Sequence, residues 1–146
     1  PGELLDHTRW RTPEGEVRSV RDYSLMSREW KIPIGRVGRT MEMTDFNEQQ
    51  VISATEPLVA EHNELVRIRL GNLGPMSHHP IHLHGHAFEV VETDGGPVPK
   101  TARWPETTVI MPVGSTRVIE FVADALGGAF HCRMTHHVMN QMTRRT

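Results

Sequence analysis

From residue 41 onward, apolar residues come in short runs at 51–54, 65–70, 81–91, 107–111, 116–122 and 129–134. Within them Val66, Ile68 and Leu70 interleave with Leu65, Arg67 and Arg69, and Ile119, Phe121 and Ala123 interleave with Val118, Glu120 and Val122. A period of two belongs to strands, where successive side chains point to opposite faces. Gly71-Asn72, Asp94-Gly95-Gly96-Pro97 and Pro112-Val113-Gly114 supply the turns between runs. No convincing long helical pattern is present, so the reading is all-β, an antiparallel sandwich or barrel of Greek-key type. Residues 1–35 are rich in Arg, Glu, Pro and Trp and alternate only over 17–26. They predict an extended arm with one strand, ahead of a single domain over residues 36–146.

A length of 146 residues is enough for one domain with a buried core plus an appendage. The net charge of -2 gives no basic field for phosphate backbones, which argues against nucleic acid as a partner. No apolar stretch approaches the roughly 20 residues that span a bilayer. The first residues lack a basic patch followed by an apolar run, and the chain reads as soluble and already processed. Cysteine and histidine change the picture most. Cys132 is the single cysteine, so it makes no intramolecular disulfide and is a core thiol, a nucleophile or a ligand. All the histidines except His7 and His62 fall in two short segments, 78–86 and 131–137.

In the first segment, strand alternation puts His82 and His84 on one face and His79 on the other. In the second, Cys132 faces one side while His131 and Arg133 face the opposite one. Together these predict that His79 and Cys132 meet on one side and that His82, His84 and His131 converge on the other. The loop after Cys132 then supplies His137 and Met142. Two imidazoles, a thiolate and a weak axial thioether make the trigonal type 1, or blue, copper arrangement used for electron transfer. The thiolate favours Cu(I), and the imidazoles keep Cu(II) accessible. A buried thiol is the commoner fate of an isolated cysteine. The histidine five residues on and the methionine ten residues on outweigh it here.

With those residues in place, the chain resembles the multicopper oxidases, in particular the copper-resistance type of bacterial periplasms. The resemblance rests on His79-Pro80-Ile81-His82-Leu83-His84-Gly85, on His131-Cys132 with His137 and Met142, and on two flanking stretches, 104–109 and Asn72-Leu73-Gly74. It implies a cupredoxin-like domain with a copper cofactor, in which His79, Cys132, His137 and Met142 are the type 1 ligands. By the same resemblance His82 matches a type 2 ligand, and His84 and His131 match type 3 ligands. It further implies an exported, periplasmic protein that takes electrons from a small reduced substrate or cuprous ion. Those electrons pass through Cys132 and His131 to a trinuclear site completed by a second cupredoxin domain or subunit, where oxygen becomes water.

Two departures stand against that picture. Where the family has His-Cys-His, this chain has Arg133, a permanent cation with no lone pair for a metal. The family also draws half of its cluster ligands from His-X-His pairs in an earlier domain, and none occurs before His78. The alternative is therefore a non-catalytic electron-transfer or copper-binding module. Copper nitrite reductases are a weaker analogue: there the residue after the cysteine is not a ligand, and His131 and His84 would hold a type 2 copper with His82 in the place of a catalytic aspartate. His78, His86 and His136 have no spacing argument of their own and read as supporting or surface residues. Met134 and Met139 read as core fillers. Met41 and Met43 alternate with Glu42 as in a strand, and Glu106 reads as an exposed strand-end carboxylate.

Overall fold

The computed structural model describes residues 2–34, 39–46, 57–75 and 77–134. The strands are β1 (Glu3–Leu4), β2 (Arg9–Arg11), β3 (Val17–Ile34), β4 (Arg39–Phe46), β5 (Leu65–Asn72), β6 (His79–Leu83), β7 (Phe88–Thr93), β8 (Gly96–Pro97), β9 (Pro105–Glu106), β10 (Thr108–Met111), β11 (Thr116–Val122) and β12 (Phe130–Cys132). One 3₁₀ turn, Lys100–Ala102, is the only helical element among the described residues. The expected run at 51–54 lies outside the described residues. The run at 116–122 forms β11, which pairs antiparallel with both β5 and β7 at the centre of the larger sheet.

That sheet runs β1-β2-β3-β5-β11-β7-β8, with β4 on β3 and β9 on β7. The second sheet has the order β10-β6-β12. Several features differ from the expected pattern, among them Gly71 and Asn72, expected as a turn but lying at the end of β5. The apolar run at 81–91 is not one strand: β6 ends at Leu83, Gly85 sits at φ 81°, and β7 starts at Phe88 in the other sheet. A left-handed backbone at that point suits glycine and turns the chain away. The arm also contributes more than one strand, since β1, β2 and β3 all lie in residues 1–35. β3 pairs with β5 in parallel, Val20 opposite Leu65 through Ser27 opposite Asn72.

The core lies between the sheets. Val66, Ile68 and Leu70 of β5 and Ile119 of β11 face Ile81 and Leu83 of β6, Val109 and Met111 of β10 and Cys132 of β12. Burying side chains of this size stabilises the fold by roughly 1.5–3 kcal/mol each. The opposite face of β5 is covered as well. Arg67 is buried there, and its guanidinium donates to Glu120 at 2.6 and 2.8 Å and to the carbonyl of His7 at 2.7 Å. A charge held that far from water keeps its place only when paired. Contact with the arm therefore explains why an arginine can sit mid-strand on a sheet that is closed on both sides.

Candidate metal centre

β6 and β12 pair antiparallel, with Cys132 opposite Ile81 and His131 opposite His82. Alternation along β6 turns His79, Ile81 and Leu83 into the core and leaves Pro80 and His82 on the outer face. On the inner side His79 is fully buried and Cys132 nearly so. Cys132 Sγ lies 3.8 Å from His79 Nδ1 and accepts the Met134 amide at 3.5 Å. Metal bonds of about 2.0–2.3 Å to nitrogen and sulfur place two ligands of one ion about 3.5–4 Å apart at an open angle. The pair therefore fits copper. A hydrogen bond to the sulfur is one of the levers that tune such a site's potential. Met134 itself packs against the core. His137 and Met142, the other two expected ligands, lie outside the described residues, as do His136 and Met139.

The loop that delivers His79 is held by Asn72. Its side-chain amide donates to the carbonyls of Ser77 and Met111 at 2.9 and 3.0 Å, and its Oδ1 accepts the Gly74 amide at 2.9 Å. Asn72→Ala leaves these groups without partners at roughly 1–3 kcal/mol for each that stays dry. The expected result is a loss of about 2–4 kcal/mol in urea unfolding together with weaker copper retention. An unchanged unfolding midpoint would show that the loop is held by other contacts.

On the outer side, three imidazoles come together. The ring centroids of His82 and His84 are 4.6 Å apart, those of His84 and His131 5.1 Å, and those of His82 and His131 5.8 Å. His82 Nδ1 donates to the Thr107 carbonyl at 2.7 Å and lies 2.9 Å from the Thr108 hydroxyl. His131 Nδ1 donates to the Cys132 carbonyl at 2.8 Å. Both rings are thus fixed in the tautomer that leaves Nε2 with a lone pair, the arrangement found around metal-ligating histidines. His84 Nε2 is 2.9 Å from His131 Nε2 and donates to it. Desolvation, neighbouring His82 and His131, and the Arg133 charge all push the His84 pKa below its usual value, which favours the neutral ring.

Backbone packing places these groups. The amide of His84 donates to Ala129 and that of Arg133 to Pro80, at 2.9 and 2.7 Å. A side chain at Gly128 would collide with the His84 carbonyl, so glycine permits this approach. The exposed Arg133 follows directly on β12. Among the described residues, no three His, Cys, Asp or Glu side chains already form a cage for one ion. The roles of Thr107, Thr108 and Asn72 are not assigned by the sequence, although all three lie in its motif stretches. His86 stands apart, its ring 5.1 Å from Phe121 and its Nε2 3.8 Å from Asp124. His78 Nδ1 accepts the Val113 amide at 3.2 Å, and Glu106 accepts the Trp104 indole at 2.6 Å.

The multicopper oxidase family model matches residues 27–146. Copper resistance protein A of Pseudomonas syringae pv. tomato is 40% identical over 138 residues, covering 87% of this chain but 22% of that protein. The chain thus spans about a fifth of that relative's length. Among solved structures, a multicopper oxidase, mgLAC, superposes with a TM-score of 0.68 at 26% identity, over 81% of this chain and 38% of that one. A copper nitrite reductase from Nitrosomonas europaea superposes at 0.65 with 19% identity, over 83% and 46%, a likeness of fold alone. The fold is cupredoxin-like. No helix among the described residues is long and apolar enough to cross a membrane.

Proposed function

Because the chain belongs to the multicopper oxidase family, we propose that Cys132 and His79, with His137 and Met142, hold a type 1 copper that carries single electrons from a small reduced substrate or cuprous ion. The buried approach of Cys132 Sγ to His79 Nδ1 at 3.8 Å carries this reading. Copper held by this donor set supplies reversible one-electron chemistry. The chain's own part is to keep water from the thiolate, to orient His79 through the loop that Asn72 pins, and to connect the two faces of the sheet. His131 and Cys132 are adjacent in sequence but point to opposite faces, and the hydrogen bond from His131 Nδ1 to the Cys132 carbonyl ties the outer imidazole to the inner thiolate.

In this proposal residues 36–146 are the cupredoxin domain, and residues 1–35 are an arm that lends strands to its sheet. Electrons leave through Cys132 and His131 toward a copper cluster completed by a second cupredoxin domain or subunit, where oxygen is reduced to water. The protein is exported to the periplasm. One observation favours the alternative, an electron-transfer or copper-binding module with no working cluster: Arg133 stands on the histidine face where the family pattern has an imidazole.

Met142→Leu tests the ligand set. An axial thioether donates weakly to copper, and its loss favours the lower oxidation state. The expected result is a copper-loaded variant that stays blue but has a higher reduction potential, read by redox titration of the visible band. An unchanged or lowered potential would show that Met142 is not the axial ligand, and loss of the copper would make its role structural.

A further inference from the structure

At the end of β6 away from His79, a cavity of about 780 Å³ lies between the two sheets. Its walls are mostly apolar, built from Tyr23, Leu25, Ile68, Leu83, Phe121 and Phe130, and the exposed Val59 and Leu126 belong to the same lining. A volume of this size matches small-molecule sites, which are apolar enclosures with a few polar groups that set orientation. Here the charge is of one sign. Glu61 and Asp124 are the charged side chains among the described lining residues, with His62 and His86 beside them and no lysine or arginine. An organic acid entering the cavity meets like charge, whereas a cation meets two counter-charges.

His86 adds an independent sign of a ligand. Its side chain is 6% exposed, and its Nε2 is buried with no hydrogen-bond partner among the described residues. A buried polar atom is costly to leave unpaired, and its neighbours do not relieve it. The Tyr23 hydroxyl is already committed to Val59, donating to its carbonyl and accepting its amide. Asp124 Oδ1 stands 3.8 Å from His86 Nε2, too far for a hydrogen bond between them. That separation suits one ammonium group bonded to both, since hydrogen bonds of about 2.8 Å to one nitrogen put two acceptors roughly 4 Å apart. The Nε2 of a neutral imidazole supplies the lone pair. Tyr23, Phe121 and Phe130 supply aromatic surface for a flat body.

We infer that this cavity binds an organic cation, a ring-sized apolar body carrying one protonated amine, with the ammonium held between His86 Nε2 and Asp124. Copper has no part in this binding. The test is isothermal titration calorimetry of the copper-loaded full chain with naphthylethylamine, and with naphthylacetic acid as the probe of opposite charge. One amine per chain is expected, bound at least about tenfold tighter than the acid. His86→Leu should weaken the amine at least about tenfold, because the buried acceptor is gone. Asp124→Asn should weaken it only about threefold, because that carboxylate is exposed. Gly127→Trp should abolish binding. Gly127 lines the cavity and a Cβ added there meets nothing within 4 Å, so an indole has room to fill the space. If His86→Leu does not fold, Asp124→Asn and Gly127→Trp, both at exposed positions, decide the matter. Equal or tighter binding of the acid would overturn the site, as would amine binding that survives Gly127→Trp, the result expected of an amine on the copper. Absence of any binding would overturn it too, and so would a dimer in light scattering that Gly127→Trp disperses, which would give the cavity to a second copy of the chain.

Discussion

Cys132→Ser is expected to abolish the blue colour of the copper-loaded protein completely, the largest single effect foreseen for this chain. The colour of a type 1 site comes from charge transfer between thiolate and copper, and Cys132 is the single thiol in the sequence. A serine hydroxyl is not deprotonated near neutral pH and is a harder donor, so it supplies neither the transition nor the preference for Cu(I). The change is nearly isosteric, and Cys132 lies opposite Ile81 and belongs to the buried core. The fold should therefore survive with at most a modest loss from placing a hydroxyl next to apolar neighbours. Visible absorption at equal copper loading, with circular dichroism as the check on folding, makes the comparison. A folded Cys132→Ser that remained as blue as the parent would mean that the colour arises elsewhere.

A second large effect concerns oxygen. This chain by itself is expected to consume no oxygen above background when its copper is loaded and supplied with a reductant, even though that copper is reduced. Four-electron reduction needs several coppers close together. The outer face offers His82, His84 and His131, flanked by a guanidinium, while His7 and His62 stand alone in the sequence before His78. Arg133→His should raise copper uptake on that face but leave oxygen consumption at background, because the imidazoles expected from a second domain or subunit are still missing. An oxygen electrode and copper analysis on both proteins make the test. Rapid turnover by the unmodified chain, with several coppers bound, would show that Arg133 is compatible with a cluster.

Much of this architecture was legible from local pattern. Alternation along β5 and β11 carries the strand reading, because a period of two needs no knowledge of partners. The same rule separates His79 from His82 and Cys132 from His131, and the structure places each pair on opposite sides of one sheet. What local pattern misses depends on distant contacts. The break between β6 and β7 turns on the backbone at Gly85, which a continuous apolar run conceals. Parallel pairing of β3 with β5 joins segments more than forty residues apart. Arg67 looks like a solvated strand position until Glu120 and the arm close over it. The orientation of His82 depends on Thr107 and Thr108, residues that strand propensity alone explains. Their role becomes visible only when β10 is laid against β6, with Thr108 opposite His82.

The most direct measurement is a copper titration of the unmodified chain, followed by visible absorption and electron paramagnetic resonance at each step. A type 1 centre on Cys132, His79, His137 and Met142 predicts an intense blue band that grows in proportion to copper and saturates at one blue ion per chain. That ion should show the narrow copper hyperfine splitting of a covalent thiolate site, and any colourless copper should be a separate species. A fully loaded, folded protein that stays colourless, with only the wide splitting of nitrogen and oxygen ligation, would contradict the assignment of Cys132 to copper.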